Sequence, residues 1–233
     1  MGKGKQKKFK AVASFKNVHE GNPIDNRQRD INWIKNIFTK QQPLILELAC
    51  GGGEYTLALA QKFPNKNFIG IDIKGARIYT GAKKALEDKI DNVGFLRTFI
   101  DHITDYFEPQ SIEEIWITFP DPFLRKSKKN KRLTSPRFLS YYKEILKPNG
   151  IIHLKTDSDV LFDFTLETIE TEKCQIIDLI PDVYAPFAER DDIFMETAST
   201  KMSSLEILQN IQTKYEKMHL ADNRVIKYVS FRL

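Results

Sequence analysis

Short apolar runs alternate with segments of helical period along most of the chain. LILELA (44–49) follows Pro43 and reads as a buried strand; EYTLALAQKF (54–63) then reads as a helix stopped by Pro64. FIGIDI (68–73) is a second strand and ARIYTGAKKALEDK (76–89) a second helix of this series. NVGFLRTFI (92–100) and EEIWITF (113–119) are the third and fourth strands, the latter ending at Pro120 and Pro122. Residues 136–147 put Phe138, Leu139, Tyr142, Ile145 and Leu146 on one inward face and close on KPNG, a turn signal. IIHLKT (151–156) is a fifth strand, VLFDFTLETIE (160–170) a helix, and QIIDLI (175–180) and VIKYVSFRL (225–233) complete the strands. Upstream, Ile31, Ile34, Ile37 and Phe38 share a face over 27–39, with Trp33 beside it, which predicts a helix. Residues 1–22 carry no clear period. The division expected is a basic, mobile arm over 1–26 and one domain over 27–233.

Repeated strand–helix units with apolar, non-alternating strands predict an α/β fold: a mostly parallel, Rossmann-like sheet with helices on both faces. The last strand follows a shorter connection and is expected to run antiparallel at or near an edge. Ligands of such sheets bind beyond the carboxyl ends of the strands. Candidate chemistry therefore belongs just after each strand.

Composition narrows the class. The 233 residues are 41% hydrophobic and 29% charged, which is globular. No apolar run approaches the roughly 20 residues of a membrane helix, and the charged N-terminus has no apolar segment behind it, so it does not read as a secretory signal. Two cysteines, Cys50 and Cys174, stand far apart, which argues against a disulfide framework or zinc cluster and for a reducing cytoplasm. Net charge is +5, but residues 1–16 hold six lysines and LRKSKKNKR (124–132) six basic residues. Setting these aside leaves 24 basic residues against 31 acidic. The body is acidic, and the positive charge sits where a polyanion would be gripped.

The first strand-to-helix turn reads Glu47-Leu48-Ala49-Cys50-Gly51-Gly52-Gly53-Glu54. Glycines there let backbone approach a ligand closely. Asp72 ends the next strand, 25 positions after Glu47, where a carboxylate can accept from two ribose hydroxyls. The pair points to a nucleoside-bearing cofactor. GK[ST] is missing after the glycines, which argues against a P-loop, and Thr56 stands where the third glycine of GxGxxG belongs, which argues against NAD. Glu47 repels a pyrophosphate but suits S-adenosylmethionine, whose amine and sulfonium are positive. The fourth strand ends in Thr118-Phe119-Pro120-Asp121-Pro122-Phe123, where two prolines fix a carboxylate among aromatic rings. Such a loop suits a flat, hydrogen-bonding base. The basic run Arg125, Lys126, Lys128, Lys129, Lys131, Arg132 follows at once, as a phosphate-binding patch would. Asp157 follows the fifth strand, as a site carboxylate, a helix N-cap, or both. Thr213-Lys214-Tyr215-Glu216 has the form of a capping box, and spacing alone says no more.

ELACGGG, GID, TFPDPFLRKSKKNKRLT, HLKTD and TKYE, in this order and spacing, resemble the bacterial tRNA (guanine-N7)-methyltransferases over roughly residues 27–233. The resemblance implies a class I S-adenosylmethionine-dependent methyltransferase fold and methylation of a variable-loop guanosine of tRNA. It implies that Glu47, Gly51, Gly53 and Asp72 bind the cofactor, with Asp101 at its adenine end and Asp121 where cofactor and guanine meet. It gives Arg125, Asp157 and Thr213, Lys214, Tyr215, Glu216 to the substrate pocket, and Lys126, Lys128, Lys129, Lys131 and Arg132 to the tRNA backbone. It implies tRNA as the partner; the expectation is a cytoplasmic protein, monomer or homodimer, with no membrane and no metal. Ala49 stands where many methyltransferases have the first glycine, Phe123 replaces the usual Trp after DP, and Arg125 stands where the family usually has Lys.

The chemistry asks little of the protein. Guanine N7 has a free lone pair and no proton to lose, so it needs alignment with the sulfonium methyl rather than a strong base. The product ring is cationic, and Asp121 and Asp157 are the carboxylates placed to offset that charge. His19, His102, His153 and His219 share no motif and read as structural. The competing readings are a catalytically inactive tRNA-binding protein of this fold, an exocyclic-amine methyltransferase, and a nicotinamide enzyme.

Overall fold

The computed structural model describes residues 3–21, 30–185 and 205–233. Eight strands form one sheet: β1 (Val18–Glu20), β2 (Leu44–Leu48), β3 (Asn67–Asp72), β4 (Val93–Arg97), β5 (Ile112–Thr118), β6 (Leu146–Thr156), β7 (Gln175–Ile180) and β8 (Lys227–Arg232). Their order is β1-β4-β3-β2-β5-β6-β8-β7. The pairings from β1 through β6 are parallel, and β8 runs antiparallel between β6 and β7. The antiparallel last strand thus lies one place in from the edge, as expected, although the connection to it from β7 is long, residues 181–226.

Every residue of β2 and of β3 is buried, because helices cover both faces. Leu44, Leu46 and Leu48 pack in the core beneath α5 (Pro136–Ile145) and α6 (Asp159–Thr171). Ile45, between them, joins the other core, with Tyr55 and Leu59 of α3 (Glu54–Lys62) and Ile78 and Ala82 of α4 (Gly75–Glu87). The alternation of strand side chains therefore divides one apolar run between two cores. The KPNG turn lies within β6, where the register jumps from Ile112↔Leu146 to Glu114↔Ile151.

Of the arm expected over 1–26, residues 1, 2 and 22–26 lie outside the described residues, and residues 3–21 fold onto the domain. Residues Lys3–Val12 form a helix, α1, packed on α4, and β1 adds an edge strand beside β4. Val12 is buried, Phe15 stacks on Tyr79 at 5.4 Å, and the Asn17 amide donates to the Ala82 carbonyl at 3.0 Å. The lysines hid this amphipathic segment, because it anchors through few apolar positions. The helix expected over 27–39 is shorter: α2 spans Trp33–Ile37, and residues 27–29 lie outside the described residues. Trp33 is core rather than flank, its Nε1 donating to the Tyr106 carbonyl at 2.9 Å. Near the C-terminus, residues 205–210 are helical (α7) and α8 spans Lys214–Ala221. Among the described residues no helix is long and apolar enough to cross a membrane.

Candidate active site at the carboxyl ends of the strands

The chain runs from β2 outward through β3 to β4, then crosses to β5 and β6 on the other side. The crevice of such a sheet opens at that reversal, beyond the ends of β2 and β5. Glu47, at the end of β2, is buried there. It accepts from the Thr56 amide at 2.8 Å, from the Thr56 hydroxyl, and from the Thr118 hydroxyl at 2.7 Å. Burial lifts its carboxyl from 4.5 to about 7, although these hydrogen bonds pull the other way. A carboxyl held so high is one that a cation would draw into its ionised form.

The glycine turn lies over this carboxyl. Ala49, Gly51 and Gly53 all have positive φ, at 56°, 57° and 71°. A Cβ on Gly53 would come within 2.5 Å of the Phe95 ring, whereas above Gly51 and Gly52 there is open space. The turn is thus closed below and open above, as a ligand cradle must be. Ala49 sits in the left-handed region that favours glycine. Ala49→Gly is expected to stabilise the fold by about 0.5–1 kcal/mol, the relief of αL strain less the entropy of a glycine. A urea midpoint measures it, and a lowered midpoint would refute it. Asp72 holds the turn from the side: Gly51 N donates to its Oδ2 at 3.0 Å and Lys74 N to its Oδ1 at 2.7 Å. Open space and two carboxyl groups fit a positively charged ligand head.

Beyond β5, Phe119 and Phe123 bracket Asp121 and both have positive φ, 46° and 42°. Left-handed conformations of bulky residues cost of order 1–3 kcal/mol each and persist only where neighbours impose them. Here Phe119 N donates to the Lys155 carbonyl at 2.9 Å, and Phe123 N to Asp121 Oδ1 at 2.9 Å. Arg132 completes the hold, its Nε donating to the Pro122 carbonyl at 2.9 Å and its guanidinium lying 4.5 Å over the Phe164 ring. This corrects the phosphate role expected of Arg132. It is buried and occupied with the loop, whereas Arg125, Lys126, Lys128, Lys129 and Lys131 are exposed. The five reach solvent from a 3-10 turn over Lys126–Lys131 and its cap.

Asp157 follows β6. The cap of α6 is Ser158, which accepts from Leu161 N at 3.3 Å, so Asp157 is free of that duty. Arg224 donates to its Oδ2 at 2.8 Å, and His219 Nδ1 lies 3.5 Å from the same oxygen. Thr213 and Glu216 form the capping box of α8. Glu216 also pairs with Lys155 at 2.6 Å, both side chains fully buried. Lys214 N donates to Glu54 at 2.6 Å, tying α8 to the glycine turn, and Lys214 and Tyr215 are exposed. Asp101 stands apart in a 3-10 turn after β4, its carboxylate held by Arg137 of α5. The sequence had pointed to neither Thr56 and Thr118, whose signal is their spacing from Glu47, nor Lys155 and Arg224, which carry none. A cavity of about 220 Å³ lined by Lys66, Glu114, Trp116 and His153 lies toward the amino ends of β5 and β6, away from these groups.

A family model described as a putative methyltransferase matches residues 41–227. The chain is 40% identical over 235 residues to the tRNA (guanine-N(7)-)-methyltransferase of Christiangramia forsetii, covering 99% of this chain and 98% of that one. It is 40% identical over 237 residues to the enzyme of the same name from Bacteroides thetaiotaomicron, covering 100% and 87%. The chain belongs to the tRNA (guanine-N(7)-)-methyltransferase family. Among solved structures it resembles an antibiotic-related methyltransferase, with a TM-score of 0.60 at 15% identity over 91% of this chain and 97% of the other. That likeness concerns the fold, which is the class I methyltransferase fold. Glu47, Asp72, the glycine turn, Asp121 and Asp157 all lie at or just after the carboxyl ends of strands, and α8 begins against Glu54.

Proposed function

We propose that the protein methylates N7 of a variable-loop guanosine in tRNA, in the cytoplasm, with S-adenosylmethionine as methyl donor. The observation that carries this reading is the full-length likeness to enzymes of that name, together with the four strand-end carboxyl groups it would require. S-adenosylmethionine supplies an electrophilic methyl group. Glu47 and Asp72 would hold it, facing its positive charge and ribose. The proline-locked loop would orient the guanine through Asp121 and the faces of Phe119 and Phe123. The exposed basic turn would hold the tRNA backbone. Purified protein, tRNA and labelled S-adenosylmethionine should give label at a guanine that N7-specific strand cleavage detects. Label on an exocyclic amine, or binding without transfer, would point instead to the competing readings.

Cofactor binding carries its own expectations. Asp72→Ala should weaken S-adenosylmethionine binding by about 1.5–3 kcal/mol, the value of hydrogen bonds to a charged group. Glu47 gives a pH signature. Its carboxyl, raised to about 7 in the free protein, must ionise to meet a cation. Affinity should therefore rise with pH up to about 7 and then level off, with proton release on binding below that value. Calorimetry in buffers of different ionisation enthalpy reads the proton, and Glu47→Gln should abolish it. Pairing a raised carboxyl with stability has the opposite sign: burial of Glu47 favours the folded protein below pH 4.5 and loses that contribution as pH rises through about 7.

The basic turn contributes counterion release. Lys128, Lys129 and Lys131 are exposed and, among the described residues, enter no ion pair. Replacing each with Ala should flatten the log–log salt dependence of tRNA binding by about 0.7–0.9. An unchanged slope in the triple variant would remove this turn from the tRNA surface.

A further inference from the structure

Asp72 would meet the cofactor with a carboxylate that is already half committed. Its Oδ2 accepts from Gly51 N and its Oδ1 from Lys74 N. A carboxylate offers about four lone pairs, so roughly two remain for ribose hydroxyls. Where those point depends on how the chain leaves β3. That exit consists of Ile73, Lys74 and Gly75, the last being the first residue of α4. Lys74, the N-cap of α4, makes no side-chain cap hydrogen bond, so the helix start does not fix the exit by itself.

Arg97 fixes it from the neighbouring strand. It ends β4, directly opposite Asp72 in the parallel register. Its Nε donates to the Ile73 carbonyl at 3.1 Å. A Cβ on Gly75 would lie 3.1 Å from both Cδ and Nε of Arg97 and 3.3 Å from the Phe9 ring, so the exit is packed against this side chain with room for glycine. The guanidinium is held in turn from two other elements. Glu20 of β1 pairs with its Nη1, and Phe9 of α1 presents its ring 4.4 Å away. Glu20 also offsets the charge of Arg97, which would otherwise oppose a cationic ligand nearby. A planar fork can serve a backbone carbonyl with one N–H and a carboxylate with another, which a single ammonium does less well.

We infer that Arg97 is a positioning residue for S-adenosylmethionine binding: it holds the Ile73–Gly75 exit and thereby sets where Asp72 presents its remaining lone pairs. Phe9 and Glu20 hold Arg97, so α1 and β1 support the cofactor site through this one side chain. The inference rests on the cofactor role proposed for Asp72 and adds to it a residue that acts through that carboxylate.

The test is a double-variant cycle on S-adenosylmethionine affinity, read by calorimetry on Arg97→Met, Asp72→Ala and the two combined. Arg97→Met keeps an unbranched apolar stem against Phe9 and Gly75 and removes the donors. It should weaken cofactor binding about tenfold, the low end of the value of a hydrogen bond to a charged group. On the Asp72→Ala background it should change nothing further, because both substitutions act on one carboxylate. In steady-state methylation the loss should appear in KM for S-adenosylmethionine, with kcat and KM for tRNA kept. A general loosening of the fold would instead lower kcat and add to the effect of Asp72→Ala. Native cofactor affinity in Arg97→Met, or full additivity with Asp72→Ala, overturns the inference. Should Arg97→Met not fold by thermal melting, Arg97→Lys takes its place in the cycle with the same expectation, since one ammonium cannot reproduce the fork between Glu20 and the Ile73 carbonyl. Native protein that binds no S-adenosylmethionine would refute the proposed function itself, which is a different outcome from an additive cycle.

Discussion

Asp121→Asn is expected to lower kcat for tRNA methylation by about 10²–10³-fold, the scale of removing one preorganised electrostatic group. KM for tRNA and for S-adenosylmethionine should change little. The substitution keeps the shape of the loop, because Oδ1 accepts from Phe123 N and an amide oxygen accepts equally well. The prolines, the two left-handed phenylalanines and Arg132 keep the backbone in place. What is lost is the charge, which matters only as the ring becomes cationic. A loss confined to the transition state appears in kcat and not in KM. Asp157→Asn should cost less than Asp121→Asn. The sequence suggested equal roles for these carboxylates, but Arg224 already offsets the charge of Asp157, while Asp121 is exposed and, among the described residues, unpaired with any cation. Full activity in Asp121→Asn would take this carboxylate out of the mechanism.

What could be read from the sequence followed from period and from strand ends. Continuous apolar runs such as Leu44–Leu48 announce a sheet covered on both faces, and the topology rule then places the chemistry beyond their ends. Glu47, Asp72 and Asp121 were legible for that reason. Capping chemistry was equally legible in Thr213 and Glu216, because it is local. Contacts across the sequence were not. Arg132 sits in a basic run and looks like its neighbours, yet the carbonyls of Pro122 and Phe123 fold back onto it. Asp101 follows β4, where a cofactor acid was expected, but its pairing with Arg137, 36 positions away, has no local signal. α1 has too few apolar positions to show a period among its lysines; Val12 and a cation–π contact from Arg97 to Phe9 at 4.4 Å hold it instead. Nor does any local pattern announce that Arg97 reaches across to the exit of β3.

Glu216→Gln is expected to destabilise the protein by about 3–5 kcal/mol, the cost of leaving a buried charge without its partner. Lys155 and Glu216 are both wholly inside, with Nζ and Oε1 2.6 Å apart. The ammonium also donates to the carbonyls of Leu208 and Ile211, and lies 5.6 Å from the Tyr55 ring. Glu216 accepts from the Tyr184 hydroxyl at 2.8 Å and from Thr213 N. An amide keeps only one acceptor oxygen, so the variant removes the charge together with one of those last two contacts. Burial already pulls the Lys155 pKa down, against the raising effect of Glu216. With Glu216 neutral that opposition disappears and the lysine must either stay charged at a cost or release its proton. The destabilisation should therefore be greatest at acid pH and shrink as pH rises, because deprotonation then becomes cheaper. Lys155→Met combined with Glu216→Gln removes both charges and should recover most of the loss, since a buried pair replaced whole is often neutral. Urea midpoints of the three proteins at pH 7 and pH 9 measure all of this. A single-variant loss below about 1 kcal/mol, or a double variant no better than the single, would mean that the pair does not hold α8. If the pair does hold α8, the single variant should also lose methylation before it unfolds, because α8 begins against Glu54 at the glycine turn and leads to Arg224, which holds Asp157.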